Sequence, residues 1–427
     1  MGGGHPENAG DSSPAGFSSP PGVEAGSEEV DLRSRAWVEI DAAALRRNYQ
    51  RIAEGLPQRC GVIPMVKADG YGLGMTRVVD TVAPFEPWGW GVATPAEGEC
   101  LRGHGVRDRI VVFSPLPPGT EARVVAAGLI PTISDIETLD RLASAATGPV
   151  PVHLEVDTGM GRAGLRWDRV EGWAPAIREA LAAPLRWDGV FTHFHSADEA
   201  GGPGVAEQLR RFSHVLAVLD PPPGVLRHVQ NTAAALRLDS EHHTFDLARP
   251  GIGLYGGASG PDLPDPDPVV ALRARVLRVV EVPAGAEVGY GATYRASGPE
   301  RWATVGVGYG DGYRRSASNR AQVLVAGRRV PVVGRVSMDV TVVNITGLDG
   351  VRTGDVVTLL GRDGEGEIGL DELAGWMGTI AYEVLTGFTS RLPRVWMPPS
   401  ASAQLLNDRR RRTESKSKCP DPSGPDR

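Results

Sequence analysis

A TIM (β/α)8 barrel followed by a mostly β C-terminal domain is the fold class that this sequence predicts, and three observations predict it. Short apolar runs alternate with helical patterns eight times within about 220 residues, the spacing of βα units. Those runs are apolar throughout instead of alternating, as strands covered on both faces are. After Pro268 the texture changes to strand-like segments with Gly-rich turns and few helical stretches. An open doubly wound sheet is the competitor, but eight units in one run favour closure.

The elements follow in order. Residues 1–34, opening MGGGHPENAG, are dominated by Gly, Ser and Pro and are expected to be disordered. They have no basic start and no apolar core, so no signal peptide is expected, and Pro6 stands where a myristoylation signal wants Ser or Thr. The barrel domain is expected over 35–265. GVIPMV (61–66) precedes a helix near 74–83, WGWGVA (88–93) precedes PAEGECLRG, and RIVVF (109–113) precedes a helix starting near Pro118. LIPTIS (129–134) precedes DIETLDRLASA, with Ser134 or Asp135 placed to cap it. VHLEVD (152–157), WDGVFTHF (187–194), RHVQN (227–231) and FDLAR (245–249) complete the eight. The Gly-, Pro- and Asp-rich stretch GGASGPDLPDPDPV marks the link to a β domain expected over 266–397. Residues 398–427, with four consecutive arginines, read as a disordered, solvated polar tail.

Composition bounds the function. A chain of 427 residues is long for one compact domain. Its 41% hydrophobic and 23% charged content is that of a soluble globular protein, and a net charge of -7 argues against nucleic acid as a partner. No apolar run approaches the roughly 18 residues of a membrane span. The cysteines, Cys60, Cys100 and Cys419, are few and odd in number, with neither a disulfide framework nor zinc-ligand spacing. A reducing cytoplasm fits best.

A barrel's active site lies at the C-terminal ends of its strands. There the sequence offers Lys67 and Tyr71; Glu155, Asp157 and Arg162 in EVDTGMGRAG; His193 in THFHSADE; Asn231 and Thr232 in QNTAAA; and Arg249, Gly251 and Ile252 in ARPGIGLYGG. Barrel phosphate sites usually follow strands seven and eight, and the N–H groups of a Gly-rich turn suit a phosphate dianion. One lysine, a phosphate cradle, an imidazole and an arginine are the partners that pyridoxal phosphate needs: an amine for its aldehyde, donors for its phosphate, a ring to lie against, and a group at its pyridine nitrogen. Lys67 would carry the Schiff base.

VKADGYGLG, DTGMGRAG, THFHSADE, QNTAAALR, ARPGIGLYG, EVGYGATY, GYGDGYRR, VGRVSMD and IAYEV stand in one order between Ala36 and Trp396. With these motifs the chain resembles the alanine racemases, pyridoxal-phosphate enzymes of fold type III. The resemblance implies an isomerase that interconverts L- and D-alanine and supplies D-alanine for cell-wall peptidoglycan. It also implies a first strand, AWVEID (36–41), that joins the second domain, and a homodimer whose sites are each completed by the partner's β domain. It makes Lys67 the aldimine lysine and one of two catalytic bases, and Tyr290 the other. Arg162 and Met338 would bind the substrate carboxylate or a cofactor oxygen, Met338 through its backbone. Tyr71, Thr232, Gly251, Ile252 and Tyr382 would hold the phosphate, and Tyr309 would narrow the entrance. Many relatives have a lysine where Glu155 stands and carry it as a carbamate that positions the arginine. Glu155 is already anionic and would replace it, with a reach shorter by about 3 Å.

Lysine and tyrosine are mostly protonated at neutral pH, so each base needs help. Lys67 would be helped by desolvation, and Tyr290 by nearby cations, with His193 and Arg162 as candidates. Arg249 cannot hand its proton to a pyridine, so the cofactor nitrogen should stay neutral, which favours reprotonation at the α-carbon. Other readings remain open here. The HxH pair His193 and His195 would suit a metal-dependent barrel hydrolase, although the lysine and arginine at other strand ends are poor metal neighbours. A non-catalytic cofactor carrier, a decarboxylase of the same fold type, and a racemase for serine or a broader range are the remainder. His153, His228, His242 and His243 have no partners evident in the sequence and read as structural.

Overall fold

The computed structural model describes residues 34–181, 183–199, 203–238 and 245–397. The expected tails up to residue 33 and from 398 on, with Cys419, His242 and His243, lie outside the described residues.

After β1 (Ala36–Asp41) and α1 (Ala42–Glu54), the chain enters the barrel. Its eight parallel strands are β2 (Gly61–Val62), β3 (Gly89–Val92), β4 (Arg109–Val112), β5 (Ile130–Ile133), β6 (Val150–Asp157), β8 (Leu185–Phe191), β9 (Leu226–Gln230) and β10 (Leu247–Ala248), with a two-residue β7 (Leu165–Arg166) on the flank of β6. Between them lie the helical turn α2 (Lys67–Tyr71) and the helices α3 (Met75–Val82), α4 (Pro95–Gly103), α5 (Glu121–Ala126), α6 (Ile136–Ala145), α7 (Val170–Ala180), α8 (Pro203–Leu219) and α9 (Thr232–Arg237). Strand pairing runs from β2 through β10, β9, β8, β6, β5 and β4 to β3. The seam between β3 and β2 closes through a Met65–Gly91 bridge, with the Val66 N–H donating to the Gly91 carbonyl at 2.8 Å and the Gly91 N–H to the Pro64 carbonyl at 3.0 Å. The first barrel strand is shorter than the apolar run 61–66 because Pro64 has no N–H to give the ladder. The helix expected near Pro118 starts at Glu121, past a Pro-Pro-Gly turn. Asp135, not Ser134, caps α6, accepting the Thr138 N–H at 2.7 Å.

The interior is filled, as barrel interiors are. Ile63, Val111, Ile130 and Leu247 form an apolar plug with Trp88, Phe113 and Leu226 packed on it. Arg249 follows β10 directly, two residues after Leu247, and extends its inward face. The plug is thus followed, toward the C-terminal ends of the strands, by a polar layer that contains Arg249.

The rest is mostly β. β11 (Val270–Val282) is the long central strand. Around it stand β12 (Glu287–Val288), β13 (Tyr294–Arg295), β14 (Glu300–Val305), β15 (Gln322–Val325), β16 (Arg328–Pro331), β17 (Thr341–Asn344), β18 (Val356–Asp363), β19 (Gly366–Ile368) and β20 (Arg394–Met397), with α10 (Leu370–Met377) and α11 (Ala381–Gly387). β1 pairs antiparallel with β11, Val38 opposite Leu272, and parallel with β20. The chain's first strand therefore lies in the sheet formed by its last third. No helix among the described residues is long and apolar enough to cross a membrane.

Two surface turns of this domain are tied to one buried carboxylate. Asp311 accepts from Arg35 Nη2 at 2.6 Å and from the Gly308 N–H at 3.0 Å, and Arg391 Nε lies 3.3 Å away. Arg391 also reaches Asp339 at 2.5 Å. The turns carrying Tyr309 and Met338 are further joined by the Gly310 N–H, which donates to the Met338 carbonyl at 2.8 Å. Replacing Asp311 with Ala removes one acceptor from each of two guanidinium groups, which keep Asp339 and backbone carbonyls as partners, and leaves the Gly308 N–H unpaired. Because both arginines are partly solvated, the expected loss of unfolding free energy is about 2–3 kcal/mol, less than for a fully buried pair. Urea denaturation checks it, and Asp311→Asn, which keeps an acceptor for Gly308, should lose less.

Candidate active site

The C-terminal ends of the strands enclose a cavity of about 270 Å³. Lys67, Tyr71, Glu155, Arg162, His193, Asn231, Thr232, Arg249, Gly251, Ile252 and Tyr382 line it, with Met65, Phe113 and Phe191.

Lys67 opens a turn of unusual hand. Ala68, Asp69, Gly70 and Tyr71 have φ of 53, 54, 62 and 55°, all left-handed. Each non-glycine residue there costs roughly 1–2 kcal/mol. The turn is held by the Gly70 N–H donating to the Val66 carbonyl and the Gly72 N–H to the Ala68 carbonyl, both at 2.8 Å, and by the Asp69 carboxylate, which accepts the Met75 N–H at 2.8 Å. Small residues and an Asx side chain suit such a turn, and a β-branched residue would not. Gly72 is also pressed against α11: a Cβ on it would stand 2.6 Å from the Leu385 carbonyl oxygen. Burial, reinforced by the charge of Arg162, lowers the pKa of the Lys67 amine.

Arg249 is the deepest charged group. Its Nη1 donates to His228 Nδ1 at 2.8 Å and its Nη2 to the Thr192 carbonyl at 2.9 Å, with His193 Nδ1 at 3.3 Å. Its guanidinium also lies 5.0 Å from the Phe191 ring centre. Burial lowers it to about 9, so it stays cationic at neutral pH. Because arginine only donates, His228 accepts at Nδ1 and carries its proton on Nε2. That N–H donates to His153 Nδ1 at 2.9 Å, which leaves the proton of His153 on a buried Nε2 without a partner among the described residues. His153 and His228 are therefore not isolated packing histidines: they buttress the arginine.

His193 likewise accepts at Nδ1 and turns its Nε2–H away from Arg249. Burial and Arg249 push its imidazole to about 3, so it is neutral at any working pH. The expectation that it supplies a positive charge for Tyr290 is corrected on that ground. His195 is exposed while His193 lines the cavity, and no group of three possible metal ligands occurs among the described residues.

At the other end of the cavity, the Gly251 N–H donates to Thr232 Oγ1 at 2.8 Å, and Asn231 caps α9 by accepting the Ala234 N–H at 3.0 Å. A Cβ on Gly251 would stand 2.2 Å from the Tyr71 hydroxyl, so only glycine lets that hydroxyl approach the turn. The 3-10 turn Ile252–Tyr255 that follows has no side-chain cap, which leaves its first N–H groups available.

Tyr290, Tyr309 and Met338 are absent from this cavity. They are 68, 40 and 51% exposed on the β domain, Tyr290 at the tip of the β12–β13 hairpin.

Comparison with known proteins agrees with this geometry. Residues 40–259 match the family described as alanine racemase, N-terminal domain, and residues 269–396 its C-terminal domain. An alanine racemase of Desulfosudis oleivorans is 38% identical over 384 residues, 86% of this chain and 98% of that protein. The alanine racemase of a D-cycloserine-producing Streptomyces lavendulae superposes with a TM-score of 0.81 at 33% identity, covering 86% of this chain and 97% of that one. The chain belongs to the alanine racemase family. The Bartonella henselae alanine racemase, 29% identical with a TM-score of 0.78 over 85% of this chain and all of its own, was solved with covalently bound pyridoxal phosphate.

Glu155 is the residue expected to replace a carbamylated lysine. It is buried, and Ser134 Oγ donates to its Oε2 at 2.9 Å. No ion pair within 4 Å joins it to Arg162 among the described residues, so direct orientation of Arg162 by Glu155 is not seen. Burial raises its carboxyl, and the Ser134 hydrogen bond and Arg162 oppose that. Phe113, Phe191, His228 and Ser134 were not singled out as site residues. Phe113, Phe191 and Ser134 lie at or just past strand ends, where a strand-end reading finds the first two only if aromatic residues are counted as ring contacts, and His228 lies within β9.

Burial lowers His153 to about 4, whereas an unfolded histidine titrates near 6.5. The unfolded chain then binds the proton first as pH falls. His153 thus stabilises the native state fully above about 6.5, and this contribution of up to about 3 kcal/mol is lost between about 6.5 and 4. Urea midpoints measured across that range should decline, and the decline should be shallower in His153→Gln.

Proposed function

We infer that the protein interconverts L-alanine and D-alanine, using pyridoxal phosphate bound at Lys67. The observation that carries this reading is the convergence on one cavity of a half-buried amine, a buried arginine and a glycine turn that a Cβ would close. The residues fit the group. Lys67 would take the aldehyde, Arg249 would donate to the pyridine nitrogen, and His193 would lie against the ring. Tyr71, Thr232, Gly251, Ile252, Asn231 and Tyr382 would hold the phosphate end. When bound, the cofactor supplies an electron sink for charge that develops at the α-carbon. Everything else falls to the protein. Arg249 donates without surrendering its proton, which keeps that sink shallow and favours return of the proton to the α-carbon. Lys67, already lowered by burial, serves as the base on one face. Tyr382 in the cavity wall and Tyr309 at the proposed entrance would leave room for a small side chain, which suits alanine better than a bulky amino acid.

The second base would come from another copy of the chain. Tyr290, Tyr309 and Met338 are large, apolar and exposed, and none lines its own chain's cavity. The Met338 carbonyl is taken by Gly310, and its N–H has no partner among the described residues, so that N–H is its free backbone group. A homodimer that sets these three residues over the partner's cavity would give Tyr290 the opposite face, Tyr309 the entrance and Met338, with Arg162, the substrate carboxylate. The D-alanine formed would feed cell-wall peptidoglycan in the cytoplasm. A serine racemase is the second reading and differs only in pocket preference.

Purified protein should be yellow, and borohydride should fix the cofactor on the peptide containing Lys67. In a panel of L-amino acids, alanine should turn over fastest. A label elsewhere, or faster turnover of a larger or basic amino acid, overturns the assignment.

Lys67→Ala and Tyr290→Phe should each lose nearly all activity. Mixed and allowed to exchange subunits, they should regain part of it, because one site of the hybrid keeps both bases. Hybrids that form without activity would place both residues in one chain's site.

A further inference from the structure

We propose that Glu97 is a positioning residue for Lys67: from α4 its carboxylate spans the strand-end loop and the left-handed turn, and so fixes the backbone that presents the amine. The inference rests on the role of Lys67 given above.

The geometry is specific. Thr94 and Glu97 form a capping box at the start of α4. An ordinary capping box needs one bond from the glutamate, back to the N-cap N–H. Here Glu97 Oε2 accepts two, from the Ala93 N–H at 2.7 Å and the Thr94 N–H at 3.1 Å. Its Oε1 does something a cap does not require. It accepts the Ala68 N–H at 2.7 Å, from a residue 29 positions earlier in the chain.

Ala68 is the residue after the lysine and the first of the left-handed run, with φ of 53°. Its N–H belongs to the opening of the turn, where intrahelical partners are missing. A left-handed alanine is disfavoured, and the turn's own bonds begin only at Gly70. The Glu97 bond is therefore the one that secures the turn at its lysine end. It is also charge-assisted and of normal length, the stronger kind of hydrogen bond. Glu97 acts on the amine by charge as well. Arg162 and Arg249 disfavour the Lys67 ammonium, and Glu97 favours it.

The test separates positioning from helix capping. The full-length holoenzyme is stripped with hydroxylamine, pyridoxal phosphate is added back, and re-attachment is followed by visible absorbance and by borohydride-fixed label at Lys67. Glu97→Gln keeps the size but turns one acceptor into a donor. Glu97→Asp keeps the charge but shortens the arm by a methylene, and it serves where Glu97→Gln does not accumulate. Both should slow re-attachment about tenfold, the effect of one charge-assisted bond. Thr94→Ala removes the reciprocal half of the cap and leaves the bond to Ala68, so it should re-attach the cofactor at the wild-type rate. Wild-type rates in the Glu97 variants, or an equal slowing in Thr94→Ala, overturn the proposal. Absence of label at Lys67 in the wild type overturns the proposed function as well, whereas label there with unaffected Glu97 variants overturns this proposal alone.

Discussion

Burying a guanidinium inside a barrel sets the terms for everything around it. Arg249 is nearly inaccessible, and an arginine cannot escape the cost of burial by giving up its proton under ordinary conditions. It has to be surrounded by acceptors. Backbone carbonyls of β8 and β9 strand ends supply part of the demand, and two imidazole nitrogens the rest. This requirement fixes the tautomer of His228, then that of His153, and it forces His193 to be neutral. The orphaned Nε2 of His153 is the cost of ending that chain against the apolar plug. A lysine in place of Arg249 could lose its proton and would leave the three histidines free to change tautomer.

The amine stands under a related constraint. Lys67 shares the cavity with two guanidinium groups, and burial already disfavours its charge. A flexible lysine would swing toward water and recover its hydration. The left-handed turn limits this by fixing the backbone from which that side chain starts. Gly70 N–H and Gly72 N–H close the turn within itself, and Asp69 ties it forward to α3. Strain that sequence propensities would not choose is stored next to the lysine, at Ala68, Asp69 and Tyr71.

How much of this could be read from the sequence follows from the same physics. Strand ends were legible because apolar runs stop where the barrel meets solvent, and those stops hold Lys67, His193, Asn231, Arg249 and Gly251. The motif order made the family legible. The left-handed turn was not, since glycines at 70, 72 and 74 signal unusual backbone without telling its sign at Ala68 and Asp69. His228 reads as structural in the sequence because its partners are His153 on β6, which β8 separates from β9, and Arg249 just past β10; only the curved register of the barrel turns all three inward together. The neutrality of His193 needed burial, which composition does not carry. The shortening of β2 was in principle visible in Pro64.

The β domain faces two ways, and the two faces differ in kind. One face is turned inward on its own barrel: Arg394 Nε donates to the Gly72 carbonyl at 3.0 Å, and α11 packs against the same glycine. That contact supports the lysine turn of the same chain. The other face carries Tyr290, Tyr309 and Met338 on turns braced by Asp311 and its arginines, and it is exposed. A rigid, braced and solvent-facing set of aromatic and apolar residues is stabilised only when something covers it. The first face is fixed to its own barrel, and the residues of the second do not line that barrel's cavity. The proposed division of the two bases between chains fits that geometry: the domain that steadies one amine would offer its tyrosine to another.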